Sequence, residues 1–262
     1  MPETLITEQS LHQGTLVALH GNLASSAWWA SLLAEPPVGW RVLAPDLPGF
    51  AGSAHMGEVS ISAYATWLRD WLANHLDPGE CPVLLGHSLG GAVALEYAAR
   101  QPAEISGLAL AASAPLDGLI TPEEHYPLLE LLREDKFLLE MHIGALFPSQ
   151  QPANFTQLVH DASRMARTHY SGNARALSTW KVDPAALAGL PVLVLGGELD
   201  RLTTPDMVHA QAAALGCRAT ILSGLGHGFP QEDALAFLQH LQPFLNQLPN
   251  DRLDSYVTLE TT

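Results

Sequence analysis

The sequence predicts an α/β fold with a mostly parallel central sheet and helices on both faces, and three observations predict it. Six short, β-rich apolar runs recur along the 262 residues, with helical segments between them. The runs are continuously apolar and do not alternate with polar residues, as expected of strands covered on both faces. No internal repeat or low-complexity tract disturbs this rhythm.

The runs are LVALH (16–20), RVLAP (41–45), VLLG (83–86), ISGLALAAS (105–113), VLVLG (192–196) and ATILS (219–223), each of strand length. Between the second and third, Ile61, Tyr64, Leu68, Trp71, Leu72 and Leu76 follow steps of three and four, which describes an amphipathic helix. Residues 91–100 and 232–248 read the same way, with Pro243 expected to bend or interrupt the latter. The rhythm breaks between Leu116 and Pro184, where some seventy residues separate two strands. An insertion rich in leucine (Leu128, Leu131, Leu132, Leu138, Leu139, with Met141 and Phe147) accounts for the gap. Residues 1–115 and 185–248 are therefore expected to form the core, 116–184 a helical cap over a pocket, and 249–262 a polar tail. Within the insertion, Arg164, Arg167, Arg175 and Lys181 occur without an acid from Ala162 to Val182, either as a solvated helix face or as an anion-attracting rim.

Composition narrows the function classes. Apolar residues at 47% and charged residues at 15% exclude a disordered chain. Twelve Lys plus Arg against 27 Asp plus Glu give a net charge of −15, which repels phosphate backbones and anionic membrane surfaces. Neither nucleic acid nor membrane is an expected partner. Cys81 and Cys217 lie far apart without metal-ligand spacing, and are expected to be reduced and packed beside strands. The segment MPETLITEQS lacks the basic and apolar regions of a leader, and no apolar run approaches 18 residues, so a soluble cytoplasmic protein is expected.

Chemistry concentrates at strand ends. GHSLGG (86–91) directly follows one apolar run and precedes a helical one, so Ser88 stands on a sharp strand-to-helix turn with its hydroxyl above the sheet. The helix that begins there aims its positive end and free amides at the same spot, and Leu89 N–H is a candidate oxyanion donor. A serine nucleophile needs a base, and the base needs a carboxylate to hold its tautomer. Asp200, in the loop after VLVLG, and His227, in the loop after ATILS, supply them in the order serine, acid, histidine. Asp117, at another strand end, and Glu198 are the competing carboxylates. HGN (20–22) ends the first run, where Gly21 lets the backbone turn its amides toward the serine; Asn22 N–H is the expected second oxyanion donor and Leu23 the alternative, unless HGN is only a turn. His20 and His87 read as loop-packing residues.

With HGN (20–22), DLPGFAGS (46–53), GHSLGG (86–91), GELDRLTTP (197–205) and GHGFPQE (226–232) in this order, the chain resembles the α/β-hydrolase superfamily over residues 14–247. It is most similar to small lidded bacterial members: carboxylesterases, enol-lactonases, carrier-protein methyl ester esterases and ring-cleavage C–C hydrolases. The resemblance implies Ser88 as nucleophile, Asp200 as acid, His227 as base, Asn22 and Leu89 as oxyanion amides, and residues 116–184 as the cap. It departs from the family in the proline after the histidine, here Pro230, and in the strands before HGN, reduced to one near Thr4 to Thr7. A serine at the elbow argues against dehalogenation and epoxide hydrolysis, which use an aspartate there. The expected activity is hydrolysis of a small carboxylic ester through an acyl-enzyme, without metal or organic cofactor. The alternatives are C–C bond hydrolysis or cofactor-free perhydrolysis on the same triad, and a non-catalytic small-molecule-binding protein. The expected substrate is an apolar or carrier-linked ester; Phe50 either borders its pocket or belongs to a loop whose glycines serve a tight turn, and Trp28, Trp29 and Trp180 either stand at its base or are ordinary cap core. No sequence feature sets an oligomeric state.

Overall fold

The computed structural model describes residues 12–248. The expected strand near Thr4 to Thr7 and the expected tail 249–262 lie outside the described residues. All six apolar runs are strands: β1 (Gly14–Leu19), β2 (Trp40–Leu43), β3 (Val83–His87), β4 (Gly107–Ala111), β5 (Val192–Gly197) and β6 (Ala219–Leu222). They form one sheet in the order β2-β1-β3-β4-β5-β6, and every pairing is parallel.

Burial explains the continuous apolar runs. β3 and β4 are buried at every position and β1 at all but Gly14, whereas the edge strands β2 and β6 are half-buried at three of four positions. Side chains on both faces of the central strands therefore need apolar partners, which the flanking helices provide.

The first crossover holds a 3₁₀ turn (Ser26–Trp29) and α1 (Ala30–Ala34). The next holds α2 (Ile61–His75), started by Ser60 Oγ accepting the Ala63 amide and burying Ile61, Tyr64, Leu68 and Leu72 as the sequence spacing predicts. α3 (Leu89–Arg100) follows β3 without a linker and packs against β1, β3 and β4. Between β4 and β5 lie four helices, α4 (Tyr126–Leu131), α5 (Lys136–Gly144), α6 (Phe155–Ser163) and α7 (His169–Thr179), with α4 on α7 and α5 on α6. Leu132, Leu139 and Phe147 are buried there, while Leu128, Leu131 and Met141 are exposed.

The chain closes with α8 (Pro205–Ala214), α9 (Phe229–Glu232) and α10 (Ala234–Leu245). The expected break at Pro243 does not occur there: α10 runs through Pro243 to Leu245, and the interruption falls at Asp233, whose side chain caps α10 by accepting from Ala236 N–H. A proline in the last turn disturbs only the bonds that a fraying end would lose anyway. Among the described residues no helix is long and apolar enough to cross a membrane, and Cys81 and Cys217 are half-buried.

Candidate active site

The strand order places the chemistry. The chain runs from β1 outward to β2, then returns to the other side of β1 to lay down β3. The carboxyl ends of β1 and β3 therefore flank a topological switch point, where loops diverge and leave a crevice. Loop 20–25 and Ser88 both stand there.

Ser88 has φ 52° and ψ −116°, a conformation that an L-residue adopts only under constraint. The constraint is visible in two glycines. A methyl group at Gly86 would lie 2.5 Å from the Gly90 carbonyl oxygen, and one at Gly90 2.5 Å from the His20 carbonyl oxygen, so strand, elbow and helix close only without side chains at these positions. The Ser88 carbonyl accepts from Gly91 N–H at 2.9 Å and Ala114 N–H at 3.1 Å, locking the turn from both sides. Leu89, fully buried, opens α3, and its amide belongs to the turn that has no intrahelical acceptor.

His227 Nδ1 lies 2.7 Å from Asp200 Oδ2, with both side chains nearly inaccessible. Thr203 Oγ1–H donates to that same oxygen at 2.7 Å, while Leu202 N–H and Thr203 N–H donate to Oδ1 at 2.7 and 3.0 Å. Burial alone would raise the Asp200 carboxyl, but the His227 imidazole and these donors outweigh it and hold the carboxyl below the usual carboxylate range. The competing carboxylates do not bond His227, although Glu198 lines the same cleft as Asp200. Asp117 is exposed, beside Lys181 in a separate groove, and Glu198 accepts from Ser223 Oγ and Gly224 N–H.

His227 is brought to the elbow by the residue preceding Ser88. His87 Nε2–H donates to the His227 carbonyl at 2.9 Å, and the two rings are 4.7 Å apart. Ser88 Oγ itself makes no hydrogen bond to His227 among the described residues. Trp28 stacks on the far side of His87 at 4.4 Å and faces Phe147 of the insertion at 5.5 Å. A cleft of about 480 Å³ opens beside His227 and Asp200, lined by Leu146, Pro148, Leu199 and Leu202.

Three side chains weighed for the pocket or its rim pack elsewhere. Phe50 is fully buried between His20, Tyr64 and His169, because the tight turn that Gly49 and Gly52 make with positive φ folds it inward. Trp180 points at α3, where its Nε1–H donates to Glu96 Oε2 at 2.9 Å. Arg175 stacks its guanidinium 3.9 Å above the Tyr126 ring, which makes this member of the basic stretch a packing residue.

His20 and His87 do pack the loops, and they do so neutral. His20 Nδ1–H donates to the Gly21 carbonyl at 2.9 Å and Nε2 accepts Leu47 N–H at 3.0 Å, tying the end of β1 to the 46–53 loop. Burial lowers the His20 imidazole to about 4 and the His87 imidazole well below its ordinary value. Between pH 6.5 and about 4 the unfolded chain thus binds protons that the folded one refuses, so stability is full above this window and falls as pH drops through it. Urea unfolding at pH 7, 6 and 5 is expected to lose roughly 1 kcal/mol per pH unit for His20, with His87 adding a loss of the same sign. A flat profile contradicts the neutral assignment.

Sequence reading missed Thr203, Glu232 and Asn173. Thr203, three residues after Asp200, carries the signature of a side chain that closes its own turn. Buried Glu232 lies within the quoted motif GHGFPQE; it accepts Gly226 N–H at 2.7 Å and both donors of Ser149, so it holds the His227 loop to the insertion. Asn173 left no local signal, since its close partners are the distant Tyr64 and Asn22, with Met165 Sδ a weaker contact.

A family model described as the alpha/beta hydrolase family matches residues 16–240. The chain belongs to this family. Among curated relatives of this alpha/beta hydrolase, a pimeloyl-acyl carrier protein methyl ester esterase of Neisseria meningitidis serogroup B is 28% identical, covering 86% of this chain and 88% of its own length. Its serogroup A counterpart is 36% identical over 86% of this chain and 72% of its own. Among solved structures, a bromoperoxidase from Bacillus anthracis superimposes with a TM-score of 0.79 at 18% identity, covering 89% of this hydrolase and 92% of its own chain. An esterase from Exiguobacterium antarcticum gives 0.76 at 19%, with the same coverage. At such identities the structural likeness speaks for the fold. The expected enzyme class, a hydrolase acting on ester bonds, agrees with the family and with the esterases among these relatives.

Proposed function

We propose that this hydrolase cleaves a small carboxylic ester through an acyl-enzyme on Ser88, with His227 as base, Asp200 as acid and the amides of Asn22 and Leu89 as oxyanion donors. The observation that carries this reading is the buried His227–Asp200 pair, 2.7 Å apart, whose histidine accepts at its main-chain carbonyl from His87, the residue before a serine held in a strained turn. The bond between His227 Nδ1–H and an ionised Asp200 leaves Nε2 as acceptor, the tautomer that a base requires. In unliganded sites the contact from hydroxyl to imidazole is commonly long, and it tightens with substrate.

His227 Nε2 takes the Ser88 proton as Oγ attacks the ester carbonyl carbon, and the carbonyl oxygen becomes an oxyanion facing Asn22 N–H and Leu89 N–H. Collapse breaks the bond to the alkoxy group, which leaves as alcohol with the proton from His227. Water, deprotonated by His227, then attacks the acyl carbon, and the carboxylic acid departs as Ser88 regains its proton. Residues 116–184 act as the cap, since α5, α6 and the segment to Pro148 bear on the cleft and on the β1 loop. The relatives' names favour the methyl ester of a carrier-borne acyl chain as substrate, and the leucine and proline walls of the cleft suit an apolar one. The cytoplasm is the proposed location, on the net charge of −15 and two cysteines far apart in sequence.

The test is treatment with a fluorophosphonate and mapping of the adduct by mass spectrometry, beside a chain-length series of nitrophenyl esters. A single adduct on Ser88 with loss of ester turnover is expected. An unlabelled Ser88 with no turnover would favour the binding-protein alternative, and faster cleavage of vinylogous diketones, or peroxide-dependent product, the other chemistries on the same residues.

A further inference from the structure

The loop that carries the proposed oxyanion amide is held by the insertion, not by the core sheet from which it emerges. Leu23 has φ 54°, the left-handed region that a leucine avoids, so something must hold it there. Two side-chain bonds bracket it. On one side, Asn22 Oδ1 accepts Asn173 Nδ2–H at 2.8 Å. On the other, Ser25 Oγ–H donates at 2.7 Å to Asp161 Oδ2, whose second oxygen accepts from Gln157 Nε2 at 2.7 Å. Asn173 lies on α7, Asp161 and Gln157 on α6.

The Asn173 bond is oriented. Its side chain is fully buried, and Oδ1 accepts the Tyr64 hydroxyl of α2 at 2.8 Å. Burial pushes the Tyr64 hydroxyl up, so it keeps its proton and remains a donor. With Oδ1 committed to a donor from the core, Nδ2 serves the other two partners, the weak acceptor Met165 Sδ at 3.9 Å and, at 2.8 Å, the loop. Asn22, half-buried at the mouth of the crevice, supplies the loop acceptor.

We propose that Asn173 is a positioning residue that fixes the backbone of the oxyanion loop through the Asn22 side chain, so that the insertion helps build the oxyanion hole. The assignment rests on the reading of Ser88 and the Asn22 amide given above. Donors that stabilise a developing charge act through preset geometry, and a loop free to leave the left-handed conformation at Leu23 carries its amides away from the oxyanion. The effect then falls on the transition state more than on ester binding, which the cleft walls govern.

The experiment is a double-mutant cycle on the full chain with Asn22→Ala, Asn173→Ala and the pair, with kcat and KM measured on a nitrophenyl ester and wild-type Ser88 labelling by fluorophosphonate run first. Asn22→Ala retains the main-chain amide and removes only the tether. Each single variant is expected to lose about tenfold in kcat with KM within about twofold, and the pair to lose no more than either alone. Single variants within about twofold of wild-type kcat, or losses that multiply in the pair, overturn the assignment. If Asn173→Ala does not fold, Asn22→Ala alone decides, because unchanged turnover there shows that the tether does nothing. A wild-type enzyme unlabelled at Ser88 defeats the reading of the site and this assignment with it. Labelling together with multiplying losses defeats the assignment alone.

Discussion

Ser88→Ala is expected to lower ester turnover by ~10⁶-fold in kcat, the loss that follows removal of a triad nucleophile. No neighbour can replace the hydroxyl. The adjacent side chains are a neutral, buried His87 and a buried Leu89, and Ser113 is occupied with its own bond to the Ala114 carbonyl. The fold should survive, because the elbow is held by backbone bonds from Gly91 and Ala114 and by the close approach at Gly86 and Gly90, none of which uses Oγ. Steady-state assays with thermal unfolding of the same sample separate the two effects. A Ser88→Ala protein that unfolds like wild type yet retains more than about a hundredth of its turnover would remove Ser88 from the chemistry.

Asp200→Asn is expected to cost about 10⁴-fold, through the tautomer of His227. The loop dictates how the new amide sits. Leu202 N–H and Thr203 N–H both donate to the Oδ1 position, so the amide oxygen must stay there and its NH₂ takes the place of Oδ2, facing His227 Nδ1. Nδ1 then becomes an acceptor, the proton moves to Nε2, and the nitrogen needed to receive the Ser88 proton is already protonated. Asp117→Asn, made alongside, should leave turnover near wild type, since Asp117 is exposed in another groove. The reverse outcome, with Asp117→Asn inactive and Asp200→Asn active, assigns the acid to Asp117.

Strands were legible because the central sheet is covered on both faces, which forces runs such as VLLG and VLVLG to be apolar without a break. The elbow was legible because the Gly86 contact lies within five residues of sequence and strand and helix flank the serine, although Gly90 is required by the distant His20 carbonyl; Asp200 and His227 were legible because each follows its strand closely. Other features have no short-range trace. Pro243 is a helix breaker by residue type, yet its place in the last turn of α10 made it harmless. Phe50, within DLPGFAGS, and Trp180, in the insertion, are large apolar side chains, and only packing decided that they face the core and α3.

The amino-acid order alone determined the parallel sheet, the turn bearing Ser88 and the three strand ends on which the proposed triad rests, since each follows from periodicity or from contacts between near neighbours. Tertiary structure decided which carboxylate meets His227, that His87 ties Ser88 to the histidine loop, and that Asn173 reaches Asn22 across 151 positions. Such bonds depend on a distance and a direction between distant elements, and these exist only once the crossovers have brought those elements together.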